Sequence, residues 1–196
     1  MAATNLSRLL AASIALTAIG CASAPSRFYT LESTAADAGA SPMTEPVLVG
    51  PVTVPSSVDR PEIVIQVTPN RVALEEFNRW AGPLNESIAR TVAENLSVIL
   101  ANPRVASGFI ANFDPQYRVT LDVQRFESVP GSAAVVDAIW VVKRTKGDTV
   151  QSGRTTAQEV PAGASFDELA AAHSRALAQV SQDIARAIRL DAAQKR

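Results

Sequence analysis

The chain predicts an α/β fold: two long helices packed on a largely antiparallel β-sheet, with a mixed sheet left open, in a single domain. Three observations carry this. A period-3.6 apolar stripe follows Pro83, a second one follows the capping-box tetrapeptide Ser165-Phe166-Asp167-Glu168, and a period-two run begins at Tyr117. Short β-branched segments before and between the two stripes complete an order of βββαβββα, the signature of helices layered on a sheet. That order is too rich in strands between its helices for a doubly wound Rossmann fold, and no Gly-rich phosphate loop follows a strand.

At the N-terminus Arg8 precedes an apolar stretch, Leu9 to Ile19, that is closed by Gly20 and Cys21. The stretch is too short to cross a bilayer, which takes roughly 20 apolar residues, and it has the build of a secretory signal. The order Ile19-Gly20-Cys21 resembles the lipobox of bacterial lipoproteins, in which the thiol is acylated and the chain is cut just before it; Ala18 stands where that pattern usually has Leu. Cleavage after Ala24 is the competing reading, but Pro25 would then follow the scissile bond, where its missing N–H disfavours proteolysis. An unmodified Cys21 would be a lone reactive thiol, a third reading that nothing in the sequence requires. Residues 1–20 thus read as a lipoprotein signal and Cys21 as the lipidation site. Ala22 in place of Asp after the cysteine implies, by the same resemblance, transfer to the outer membrane with the body in the periplasm. Residues 21–46 hold a short strand at 27–31 and a small, polar, Pro-containing stretch at 32–46 that predicts a flexible tether.

The folded domain is expected at 47–190, with a tail at 191–196. Val47 to Val54 is a strand bent or edge-exposed at Gly50-Pro51 and ended by Pro55. Glu62–Val67 and Arg71–Phe77, separated by Thr68-Pro69-Asn70, read as a hairpin, although Leu74-Glu75-Glu76 would also suit a helix. Pro83 is placed at the first helical position, with Leu84, Ile88, Val92, Leu96 and Ile99/Leu100 at helical spacing and Asn102-Pro103 as the stop. Tyr117, Val119, Leu121 and Val123 alternate with polar residues, and the phase breaks at Arg125-Phe126, either a bulge or the end of the buried run. Ala134–Val142 is apolar on both faces, which suits a central strand. A turn at Lys146-Gly147-Asp148 leads to the more polar Val150–Val160, which suits an edge. In the last helix Leu169, Leu177, Val180, Ile184 and Ile188 form the buried stripe.

The chemistry of the chain excludes several functions. With formal charge −1, falling to −2 once residues 1–20 and Arg8 are removed, it is no nucleic-acid binder by electrostatics. One cysteine, assigned to the lipid, and one histidine leave no thiol nucleophile and no two-His metal site. His173 lies four residues from both Leu169 and Leu177, so a packed or interface histidine is the expected reading, and the neighbouring Ser174 points elsewhere on the helix. Glu75-Glu76, Asp122 and Asp137 have no spacing that marks an acid/base pair, and Asp137, amid Val135, Val136 and Ile139, suits a salt bridge or a sheet-edge position. No nucleophile elbow, P-loop or H-E-x-x-H helix occurs. The expectation is a binding or structural module without enzymatic activity, cofactor or metal.

Val49-Gly50-Pro51-Val52, Asp59-Arg60-Pro61-Glu62-Ile63-Val64 and above all Asn78-Arg79-Trp80-Ala81-Gly82-Pro83-Leu84 with Asn95-Leu96 resemble the ABC-type transport auxiliary lipoproteins, the PqiC-like group. The likeness extends from Phe28-Tyr29-Thr30-Leu31 through the Tyr117 strand to the last helix. It implies an outer-membrane lipoprotein that hydrolyses no ATP itself. Such a protein serves a lipid transporter made of a permease, an ATPase and a mammalian-cell-entry (MCE) domain protein, docks the MCE assembly and assembles as a homo-oligomer. Arg60, Arg79 and Trp80 are then the candidate partner or self-association surface, Arg79 through planar bidentate contacts and Trp80 through its large amphipathic ring. The competing reading has Trp80 stapling the loop to the core with Arg79 stacked nearby, while Trp140 is expected in the core. An envelope lipoprotein that stabilises an outer-membrane or cell-wall assembly without a transporter is the alternative function.

Overall fold

Residue patterning of the kind just described is realised in a computed structural model that describes residues 24–36, 39, 41–147 and 150–194. The signal segment, Cys21, Asp148 of the expected turn and the end of the expected tail lie outside the described residues. The strands are β1 (Arg27–Tyr29), β2 (Val47–Thr53), β3 (Glu62–Thr68), β4 (Arg71–Trp80), β5 (Val105–Ser107), β6 (Tyr117–Val129), β7 (Ala133–Arg144) and β8 (Val150–Glu159). The helices are α1 (Leu84–Ile99) and α2 (Phe166–Ala193).

β6 organises the sheet because it is long enough to serve different neighbours at its two ends. Its first half pairs in parallel with β2, while Ser128 near its end meets Ile65 of β3, and its other edge carries β7 in antiparallel register throughout. β8 pairs with β7 alone and forms an edge, and β7 is internal, as their polar and apolar compositions predict. The sheet is mixed: β1 on β4, β5 on β2, β2 on β6 and β3 on β6 are parallel. The break at Arg125 is a bulge and not an end, since the β6–β7 register shifts between Val123 and Arg125 and then resumes to Val129. β2 bends as expected, with a register shift between Val49 and Val52 where Gly50 takes a φ of 126° that side chains resist.

α1 lies on β2 and β5, α2 lies on β7 and β8, and the two helices touch each other. Their stripes, with the inward residues of β2, β6 and β7, make the core: Leu84, Ile88, Val92, Leu96, Leu177, Val180, Ile184 and Ile188 are each at most 1% exposed. Ser165 caps α2 through the reciprocal bonds of a capping box with Glu168. Pro83 is one position earlier than predicted: it is the N-cap residue of α1, with ψ of 131°, and Leu84 opens the helix.

Several expected boundaries change: β1 ends at Tyr29 rather than residue 31, and β4 runs past Phe77 to Trp80. α2 continues past residue 190 to Ala193 because Asp191, 2% exposed, accepts from Arg144 Nε at 2.9 Å and from Tyr117 Oη at 2.9 Å. Burial on its own would penalise this carboxylate, and the guanidinium offsets that cost. The stretch expected as a tether is bonded to the body on both sides of its midpoint. Thr34 donates its N–H to Asn95 Oδ1 at 3.1 Å, and Met43, 8% exposed, donates its N–H to the Leu100 carbonyl at 3.0 Å.

Candidate functional site

Alternation in β1 sends Tyr29 inward and Phe28 outward, and the parallel register places Phe28 beside Arg79 and Tyr29 beside Trp80. The Asn-Arg-Trp-Ala motif is therefore the seam that sews β1 to the hairpin. Tyr29 Oη donates to Asn78 Oδ1 at 2.9 Å, Ala81 N donates to the Tyr29 carbonyl at 2.8 Å, and Trp80 N donates to the Pro61 carbonyl at 2.8 Å. Pro61 cannot donate, so the loop of residues 55–61 is held through its acceptor and by Arg60 N, which donates to the Val58 carbonyl at 2.9 Å.

Of the three expected surface residues, two are accessible and one is not. Trp80 is 5% exposed, edge-on to Phe126 at 5.9 Å and to His173 at 6.2 Å. Its ring serves the core, and an interface role falls away because strand alternation aims it inward. Arg79 is half-exposed and donates from Nη2 to Glu62 Oε1 at 2.5 Å, while its Nε is buried without a partner among the described residues. The Glu62 carboxyl is held below the usual range by a backbone hydrogen bond and then by Arg79 and Arg60. Arg60 is exposed beside them, and Arg60, Glu62, Arg79, Leu74, Phe77 and Ser26 line one open groove. Glu76 completes the lining, and a mix of guanidinium, carboxylate and apolar groups suits contact with another surface.

His173 has the interior position its spacing predicts. It is 0% exposed, stacked on Phe126 with centroids 4.0 Å apart, and its Nε2 is 2.8 Å from Ser128 Oγ. Desolvation pushes its pKa down to about 3, so it is neutral at physiological pH. Its Nδ1 has no partner among the described residues, and Ser128 is itself 2% exposed. A serine and a histidine so sealed, with no third group to orient the ring, lack the geometry of an activated nucleophile.

The carboxylates singled out earlier are scattered rather than paired. Asp137 takes a two-point contact from Arg154, at 2.8 and 2.6 Å, and a bond from Thr156; the Arg154 bonds foremost hold its pKa down. Glu75 accepts from Asn78, and Asp122 accepts from Thr53. Among the described residues no cluster of three or more metal-ligating side chains occurs, and no described helix is long and apolar enough to cross a membrane. Trp140 is in the core as expected, its ring lying where a Cβ on Gly153 would come within 2.3 Å of it.

Sequence reasoning missed a clasp on the N-terminal segment. Asn95 Oδ1 accepts from Ser33 Oγ at 2.8 Å and from the N–H groups of Thr34 and Ala35 at 3.1 Å, and Ser174 Oγ accepts from Glu32 N at 3.1 Å. The available signal was Asn95 itself, an amide on the apolar side of α1 that burial would penalise unless it were bonded.

The model of ABC-type transport auxiliary lipoprotein components matches residues 29–185. Among solved structures, a protein from Xanthomonas campestris is 20% identical over 86% of this chain and 98% of its own, with a TM-score of 0.70. An uncharacterized protein is 22% identical over 84% of this chain and 99% of its own, with a TM-score of 0.68. A PelC dodecamer from Paraburkholderia phytofirmans is more distant, 15% identical over 76% of this chain and 88% of its own, with a TM-score of 0.42. The first two share the fold. No curated protein matches the sequence.

Proposed function

Because the chain belongs to the family of ABC-type transport auxiliary lipoprotein components, we propose that it is a non-enzymatic lipoprotein, acylated at Cys21 and held at the outer membrane with its body in the periplasm, that docks the MCE-domain assembly of an envelope lipid transporter. The observation that carries this reading is the extent of the family match, which runs from the β1 seam to the second half of α2 and so takes in nearly the whole folded body. Sealing of the Ser128–His173 pair and scattering of the carboxylates fit a body that binds rather than reacts. Arg60 and Arg79 are the accessible part of the contact surface, which a partner or a second copy of the chain would cover.

The test is capture of the intact lipoprotein from detergent-solubilised envelopes, with mass-spectrometric identification of partners and light scattering for subunit number. Recovery of an MCE-domain protein with a multimeric lipoprotein is the expected result. Recovery of outer-membrane or cell-wall components alone, with a monomeric body, would replace the transporter role by that of a structural envelope lipoprotein.

A further inference from the structure

The tip of the β3–β4 hairpin is exposed, although Val72 borders a groove shared with Val58 of the preceding loop and residues 124–128 of β6. The strands converge on Ile63, Val64 and Trp80 in the core, but from Val67 to Val72 every residue is exposed, including Val67 at 44% and Val72 at 51%. Apart from Trp80 at its base, which meets His173, the hairpin is not covered by the helices: α1 lies on β2 and β5, and α2 on β7 and β8. Its tip carries apolar Val67, Pro69 and Val72 with one cation, Arg71.

The direction of β1 relates this tip to the anchor. β1 runs parallel to β4 with Arg27 opposite Asn78, so a chain followed back from Arg27 heads toward the hairpin tip, and Ser26 already borders Leu74 and Phe77. Cys21 is six residues before Arg27, and six residues before Asn78 is Val72. At full extension those six steps reach about 20 Å, the same length as the strand from Asn78 to Val72. The acylated cysteine therefore comes level with Val72 at most, and any shorter path along this line draws the bilayer nearer to the body than the tip itself.

From this geometry we infer that the tip of the β3–β4 hairpin, Val67 to Val72, is a second membrane contact that enters the phospholipid interface beside the lipid anchor. It rests on the acylation of Cys21 proposed above. Val67 and Val72 enter the boundary between headgroups and acyl chains, and Arg71 extends its guanidinium to headgroup phosphates. Acyl chains and hairpin together fix two points on the membrane, which orients the body where an anchor alone would leave it to swivel. The groove of Arg60 and Arg79, at the base of the hairpin, stays on the periplasmic side for a protein partner.

Val72→Cys in the intact acylated lipoprotein, labelled with a nitrobenzoxadiazole fluorophore and reconstituted into phosphatidylethanolamine–phosphatidylglycerol vesicles, tests this; acylated Cys21 offers no competing thiol. Val160→Cys, also exposed and following the far edge strand, is the control. The expected result is a blue-shifted emission for the label at 72, quenched more by lipids with nitroxide near the headgroup than by lipids with nitroxide at the chain end, with no shift at 160. Equal, unshifted emission at both positions in protein that floats with the vesicles would overturn the hairpin contact and leave the anchor intact. A label at 72 already shifted in lipid-free Cys21→Ser protein would overturn it in favour of a second copy covering the tip. Mass spectrometry showing Cys21 without acyl chains would sink the anchor reading separately, and the distance argument with it.

Discussion

Trp80 shows how one residue of a recognisable motif is reassigned by its place in a strand. Truncating it to Ala empties a site walled by Phe126 and His173, and we expect a loss of about 3–5 kcal/mol of stability, read as a lower midpoint in urea unfolding. Arg79→Ala, at the half-exposed neighbour, costs far less, because a partly solvated ion pair contributes little. His173 adds a pH dependence of defined sign. Its folded pKa of about 3 lies below the ordinary 6.5, so the unfolded chain binds the extra proton between those values, and stability is complete above pH 6.5 and declines as pH falls toward 3. Between pH 6.5 and 5 this amounts to about 2 kcal/mol, and His173→Phe should remove that slope from urea midpoints measured across the interval.

At the scale of elements, two polar devices join segments distant in sequence. Asn95 on α1 gathers residues 33–35 with one oxygen, so Asn95→Ala should free that segment at a cost of about 1–3 kcal/mol, with faster amide exchange at Thr34 and Ala35 while β6 and β7 keep their protection. The last turn of α2 is held to β6 and β7 by Asp191 with Tyr117 and Arg144. Asp191→Ala leaves Arg144, 8% exposed, with a buried charge beside the Tyr117 ring, and a loss of about 3–5 kcal/mol in chemical denaturation is the expected outcome. The capping box at Ser165 is the opposite case, an element end whose tetrapeptide already contains both partners.

For the whole molecule, the docked segment changes how the body relates to its membrane. Flexibility between residues 32 and 46 would not let the body stand off, because β1 precedes that stretch and is already part of the sheet. From Cys21 to Arg27 the chain can reach at most about 20 Å, less than the width of a domain of this size. Cys21→Ser should move the protein from the membrane fraction to the soluble periplasm in cell fractionation; retention at the membrane would mean that the lipid-anchor reading is wrong or that an embedded partner holds it. On this geometry, lengthening the chain between Cys21 and Arg27 with a Gly-Ser insert should leave the fold and fractionation unchanged while relaxing the orientation of the body.

Periodicity alone determined both helices, the inward face of β6, the central and edge roles of β7 and β8, and the burial of His173, since each follows from side chains a few residues apart on one local geometry. The capping box and the salt-bridged Asp137 were legible for the same reason. The tertiary structure alone decided the parallel pairing of β1, the three-residue β5, the inward turn of Trp80 and the clasp of Asn95 on residues 33–35. Each of these joins residues roughly 50 or more apart, or depends on which side of a strand meets the core, and no local period encodes either.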